Sequence, residues 1–245
     1  MSLDLKAASR LMVALDFKTA GDARTLIQRL EGIPCYMKVG MQLYYAAGPD
    51  FVRELKDKGY SVFLDLKMHD IPNTVKGGAD SITRLGVDMF NVHAAGGVKM
   101  MQAAYEGAAD AVQEVSGLSL PQIIAVTQLT STDQATLNNE IGIAGSVEQA
   151  VLNYAALAKQ AGLQGVVASP LEAQAIKAVC GAGFATVTPG IRPAGSEAGD
   201  QSRTLTPGQA IQQGTDYIVV GRPITAAADP REAALHIIEE MNEHV

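Results

Sequence analysis

Cysteine is scarce in this chain: there are two, Cys35 and Cys180, far apart and set among apolar or small neighbours. That pattern gives no disulfide framework and reads as two buried, reduced thiols rather than a nucleophile. Histidine is nearly as rare, with four residues and no metal-ligand spacing, so no zinc or magnesium cage is visible. Long apolar runs are missing too. The first twenty residues carry Asp4, Lys6 and Arg10 where a secretory signal needs an unbroken apolar stretch, and no later run approaches a membrane span. We therefore expect a soluble, cytoplasmic protein. An excess of positive charge is also lacking. The formal net charge of -7 argues against nucleic-acid binding, which needs clustered Lys and Arg. A small anionic ligand, held by a few local cations, remains compatible with an acidic whole.

What is present is enough apolar residue, 47%, to bury a large core in a chain of 245 residues. Short runs rich in Val, Ile and Leu alternate with longer Ala-rich stretches of helical spacing, the pattern of parallel strands joined by crossover helices. Eight strands are expected, near 10–17, 35–41, 61–67, 89–94, 122–129, 165–169, 185–190 and 216–221. Helices are expected in "GGVKMMQAAYEGAADAVQEV", "SVEQAVLNYAALAKQA" and "DPREAALHIIEEM", the last capped by Asp229 with Pro230 in its first turn. Eight such units without a Pro- or Ser-rich linker predict one closed (β/α)8 barrel, an α/β fold forming a single domain over residues 1–245. An open doubly wound sheet is the alternative, but "ALDFKTAGDA" after the first strand lacks its G-x-G-x-x-G fingerprint.

Charged residues fall in a consistent place. Asp16 ends the first strand, Lys38 lies in the second, Asp65 and Lys67 end the third, His93 ends the fourth, and Thr130 follows the fifth. In a barrel these are the carboxyl ends of strands, where active sites form. Alternation along a strand puts Asp65 and Lys67 on one side and Leu64 and Leu66 on the other. "FLDLKMHDIPNTV" adds Asp70 three residues further on. A lysine about 4 Å from a carboxylate gains roughly 4 kcal/mol at an effective dielectric near 20, before desolvation. Such a lysine stays an ammonium, suited to giving a proton rather than to forming a Schiff base. D-x-K-x-x-D alone also fits a structural ion-pair network.

The last strand ends in "VVGRPI", where Gly221 admits close backbone approach and Arg222 offers a fork of donors, as barrels often use for phosphate. A solvated Gly-Arg-Pro turn is the bland reading of these residues. The long preceding connection, "PGIRPAGSEAGDQSRTLTP", carries Arg192, Gln201 and Arg203, each able to grip an anion. Its length and composition predict a lid. Spacing does not say which of the three meets phosphate.

Taken together, "VALD", "KVG", "FLDLKMHDIPNT", "NVHAAGG", "AVTQLTS", "VTPGIRP", "GDQSR" and "VVGRP" resemble the orotidine 5'-monophosphate decarboxylase family over essentially the whole chain. The resemblance implies decarboxylation of orotidine 5'-monophosphate to uridine 5'-monophosphate (UMP), the last step of pyrimidine nucleotide synthesis, with no cofactor. It implies that Asp16 and Lys38 contact the ribose, that Lys67 protonates C6, and that Asp65 lies beside the leaving carboxylate. It also implies a homodimer in which Asp70, Ile71 and Thr74 reach the neighbouring subunit's site. Thr130 would meet the pyrimidine, Gln201, Gly221 and Arg222 the phosphate, and Arg192 would belong to the closing loop.

Other residues are read as supporting. His69 and His93 fit local hydrogen bonding better than metal or acid–base roles, and Met100 and Met101 fit helix packing. Two other functions are alternatives. A magnesium-dependent sugar-phosphate decarboxylase or synthase on a similar barrel would stabilise an enediolate, but such relatives place an acid where this chain has Lys38. A non-catalytic nucleotide-sensing barrel would not require the intact set Asp65, Lys67 and Asp70.

Overall fold

Each of the eight expected runs forms a short parallel strand in the computed structural model, which describes residues 4–193 and 204–243. The strands are β1 (Leu11–Ala14), β2 (Tyr36–Gly40), β3 (Ser61–Met68), β4 (Met89–His93), β5 (Gln122–Val126), β6 (Gly165–Val167), β7 (Ala185–Thr188) and β8 (Tyr217–Val220). They close in sequence order, with β1 returning to β8 through Leu11–Ile218, Met12–Val219 and Val13–Val220. The fold is a (β/α)8 barrel, and no sheet edge is left for an open, doubly wound arrangement.

One helix, α1 (Leu5–Ala8), precedes the barrel. The crossovers are α2 (Ala20–Arg29), α3 (Met41–Asp57), α4 (Pro72–Thr83), α5 (Gly97–Glu114), α6 (Val147–Gln160), α7 (Ala173–Cys180) and α8 (Pro207–Gln212). A short turn, α9 (Arg222–Thr225), follows β8 before the terminal α10 (Pro230–Asn242). Their ends obey local chemistry. Ser146 and Gln149 form a capping box on α6, and Asp229 accepts from the amides of Arg231 and Glu232 at the start of α10. Inside α3, Pro49 disfavours helical backbone in the residue before it, and Gly48 takes φ 71° there, kinking the helix.

Two apolar regions result. The larger lies between the strands and their helices and includes Leu11, Val39, Leu64, Phe90 and Ile237. The smaller fills the barrel's interior with Met12, Ala14, Phe63, Met89, Ile124, Val187 and Val219. Tyr36 and Tyr217, the first residues of β2 and β8, meet edge to face at 5.8 Å between ring centres beneath this plug. Because side chains alternate, Lys38 stands two residues above Tyr36 and Asn91 two above Met89, both toward the carboxyl ends. The polar side chains therefore gather over a dry plug at one mouth.

Cys35 and Cys180 are both buried free thiols, and burial pushes the Cys35 thiol up to about 12. Met100 and Met101 are buried on α5, as helix packing predicts. Among the described residues, no helix is long and apolar enough to cross a membrane.

Candidate active site

The carboxyl-end mouth holds a cavity of about 610 Å³. Asp16, Lys38, Asp65, Lys67 and Thr130 line it, as do Arg192, Gly221 and Arg222. Asp16 lies two residues past the end of β1 rather than within it.

The charges form one alternating chain. Lys38 Nζ is 3.3 Å from Asp16 Oδ1 and 3.2 Å from Asp65 Oδ2, and Asp65 Oδ1 is 2.6 Å from Lys67 Nζ. Burial alone would lower the Lys38 pKa, but the charges of Asp65 and Asp16 outweigh it and the net shift is upward. Burial likewise opposes ionisation of Asp65. Lys38, Lys67 and the hydrogen bonds from Lys67 and Asn91 reverse this and hold its carboxyl below the usual range. Gly40 leaves room for this network: a Cβ there would sit 3.2 Å from Lys38 Nζ and 3.3 Å from Asp16 Oδ1.

The route by which Asp65 and Lys67 meet corrects the simple alternation expected of β3. Opposite β4 the register runs Phe63–Met89 and Leu64–Phe90, then jumps to Met68–Val92. Four steps along β3 therefore face two along β4, which is a bulge. Within it Lys67 has φ 52°, the one positive value outside glycine among the described residues. Asn91, buried on β4, accepts from the Lys67 amide at 2.8 Å and donates to Asp65 Oδ1 at 2.8 Å. Asn91 escaped the sequence reading, although it begins the quoted "NVHAAGG".

At the same mouth, partial burial and then the nearby Arg222 guanidinium hold the Arg192 pKa below the ordinary arginine value. Gly221 precedes α9, whose first residue is Arg222. The two stems of the long β7–α8 connection are joined where Arg192 N donates to Leu205 O at 3.0 Å. Gln201 and Arg203, expected in that connection, lie outside the described residues.

Asp70, Ile71 and Thr74 are not in the cavity of their own chain. They are exposed around the start of α4, with Ile71 67% exposed at its N-cap and Asp70 Oδ1 accepting from the Ile71 amide. His69 and His93 face each other with ring centres 5.5 Å apart, and burial, then His69 and Lys67, lower the His93 pKa. Among the described residues, no group of three or more His, Cys, Asp or Glu is placed to hold a metal ion.

A closed parallel barrel with a partly buried chain of alternating charges and a basic rim at its carboxyl-end mouth defines a (β/α)8-barrel enzyme. The family model described as Orotidine 5'-phosphate decarboxylase / HUMPS family matches residues 9–237, and the chain belongs to that family. It is 51% identical over 239 residues to the orotidine 5'-phosphate decarboxylase of Moorella thermoacetica, covering 97% of this chain and 94% of that one. Its identity to the enzyme of that name from Bacillus cereus strain Q1 is 52% over 223 residues, covering 91% and 93% of the two chains. The crystal structure of orotidine 5'-phosphate decarboxylase from Lactobacillus acidophilus superposes with a TM-score of 0.86 at 41% identity, covering 96% of this chain and 99% of that one.

Proposed function

We propose that this chain decarboxylates orotidine 5'-monophosphate to UMP and carbon dioxide in the cytoplasm, completing pyrimidine nucleotide synthesis without a metal or organic cofactor. The observation that carries this reading is the chain Asp16, Lys38, Asp65 and Lys67 lining the same cavity as Arg192 and Arg222. Breaking the bond from C6 to the carboxyl group leaves its electron pair on a vinylic carbon that the pyrimidine ring delocalises poorly. Lys67 stabilises that charge as an ammonium and then transfers a proton to C6. Asp65, ionised and pinned between two lysines, orients Lys67 and faces the departing carboxylate. Lys38 and Asp16 reach the ribose hydroxyls, and Thr130 meets the pyrimidine.

Phosphate binding completes the reading. Arg222 disfavours the charge of Arg192, an effect that a bound anion would offset, which supports Arg192 and Arg222, beside Gly221, as the phosphate grip, to which the resemblance adds Gln201. Binding energy gathered at that remote group aligns C6 with Lys67 and appears as rate. Asp70, Ile71 and Thr74, exposed beside the mouth and absent from their own cavity, are assigned to the partner's site in a homodimer.

The test is an absorbance assay on orotidine 5'-monophosphate with EDTA present. Full turnover by the wild type, and its loss in Lys67→Ala with the fold retained, is the expected result. Activity that EDTA removes and magnesium restores would move the reading to a metal-dependent barrel enzyme. Binding of UMP without any turnover would make the chain a nucleotide sensor.

A further inference from the structure

Asn91 occupies a place where chemistry alone gives no reason for an amide. It is 1% exposed and sits above Met89 on the inward side of β4, next to a plug built from Phe63, Ile124 and other apolar groups. A leucine of similar size fills such a position without needing hydrogen bonds, whereas a buried amide must find partners for both its ends. Asn91 finds them in two residues of the alternating charge chain. Its Oδ1 accepts from the Lys67 amide at 2.8 Å, and its Nδ2 donates to Asp65 Oδ1 at 2.8 Å, the same oxygen that meets Lys67 Nζ at 2.6 Å. The amide cannot be turned over, because a backbone N–H only donates and a carboxylate only accepts.

We propose that Asn91 is a positioning residue for proton delivery: it holds Lys67 at both ends, by the backbone amide and, through Asp65, by the ammonium. This rests on the decarboxylase reading above. Lysine has a flexible four-carbon stem, so an ion pair alone fixes its charge but not its path. The bulge makes the problem worse, since Lys67 adopts a left-handed backbone that L residues disfavour. Without Asn91 the bulge relaxes, the Lys67 stem starts from another direction, and Asp65 loses the donor that keeps Oδ1 aimed at Nζ. A reacting atom displaced by about 1 Å costs on the order of a hundredfold in rate, with little effect on contacts made elsewhere by the ligand.

The experiment compares wild type, Asn91→Ala and Asn91→Asp for kcat on orotidine 5'-monophosphate, for Kd of UMP by calorimetry, and for fold by circular dichroism. Asn91→Asp keeps the acceptor for the Lys67 amide but removes the donor to Asp65. Both variants are expected to lose about a hundredfold in kcat while UMP affinity stays within about threefold. A folded variant with kcat within about threefold of wild type overturns the proposal. So does a parallel fall of kcat and UMP affinity, which marks a scaffold role, or failure of both variants to fold. If only Asn91→Ala fails to fold, Asn91→Asp decides by the same criteria. Wild-type turnover in this assay reports on the decarboxylase reading, and the ratio of variant to wild type reports on Asn91.

Discussion

Lys38 and Asp65 form a buried ion pair across β2 and β3, 3.2 Å apart, with each residue less than a tenth exposed. Removing one partner leaves the other charged in a poorly solvated place. Asp65→Ala is therefore expected to cost about 3 kcal/mol of unfolding free energy at pH 7, read from urea denaturation. A loss below about 1 kcal/mol would show that water or Asp16 already neutralises Lys38. The pH dependence has a definite sign. The folded-state pKa of Asp65 is depressed, so its contribution is fully present above the unfolded value near 3.9 and disappears as pH falls through the folded value. The difference between wild type and Asp65→Asn should shrink over that acid range. Lys38 is raised instead, so its contribution holds below the unfolded value near 10.4 and is lost as pH rises through the folded value.

Arg222 is predicted to contribute affinity only through the phosphate. Arg222→Ala should weaken UMP binding by about 2 kcal/mol, roughly thirtyfold in Kd, as expected for loss of charged hydrogen bonds. Binding of uridine, which lacks the phosphate, should change by less than about twofold. Calorimetry with both ligands checks this, and equal losses for the two would place Arg222 elsewhere on the nucleotide.

The proposed homodimer predicts complementation. Lys67→Ala and Asp70→Ala chains, each inactive alone, are mixed in equal amounts and allowed to exchange subunits. About half of the dimers are then mixed, each with one intact site, so roughly a quarter of wild-type activity should return. No recovery after exchange is verified by mass would put Asp70 in its own chain's chemistry.

Gly107 on α5 lies against the carbonyl of Lys76 on α4, and an added Cβ would overlap that oxygen. Gly107→Ala should force the two helices apart and cost about 1–3 kcal/mol. Gly21 on α2 has only ordinary contact for a Cβ, so Gly21→Ala is expected to gain roughly 0.5 kcal/mol. Thermal and urea denaturation of the pair test the contrast, and equal signs would contradict it.

Much of this molecule was legible in the amino-acid order because the same pattern is written eight times. Runs such as Ser61–Met68 and Tyr217–Val220 are too short and too apolar for surface helices, and the stretches between them carry helical periodicity and capping residues. Lys38, Asp65 and Lys67 were also legible, since charge inside an apolar strand run demands a partner. The bulge was not. Period-two reasoning assumes an unbroken ladder, and the slip between Leu64 and Met68 depends on how β3 meets β4 rather than on β3 alone. Asn91 was missed for a related reason: an uncharged amide within a strand has no chemical signature until its neighbours are known.

The unusual backbone at Lys67 has a consequence for engineering. Glycine would adopt that geometry without the penalty of about 1 kcal/mol that an L residue bears. A campaign that ranks variants by backbone strain alone is thus drawn toward Lys67→Gly, and so toward loss of the proton donor proposed above. Libraries built for heat tolerance should keep that codon fixed.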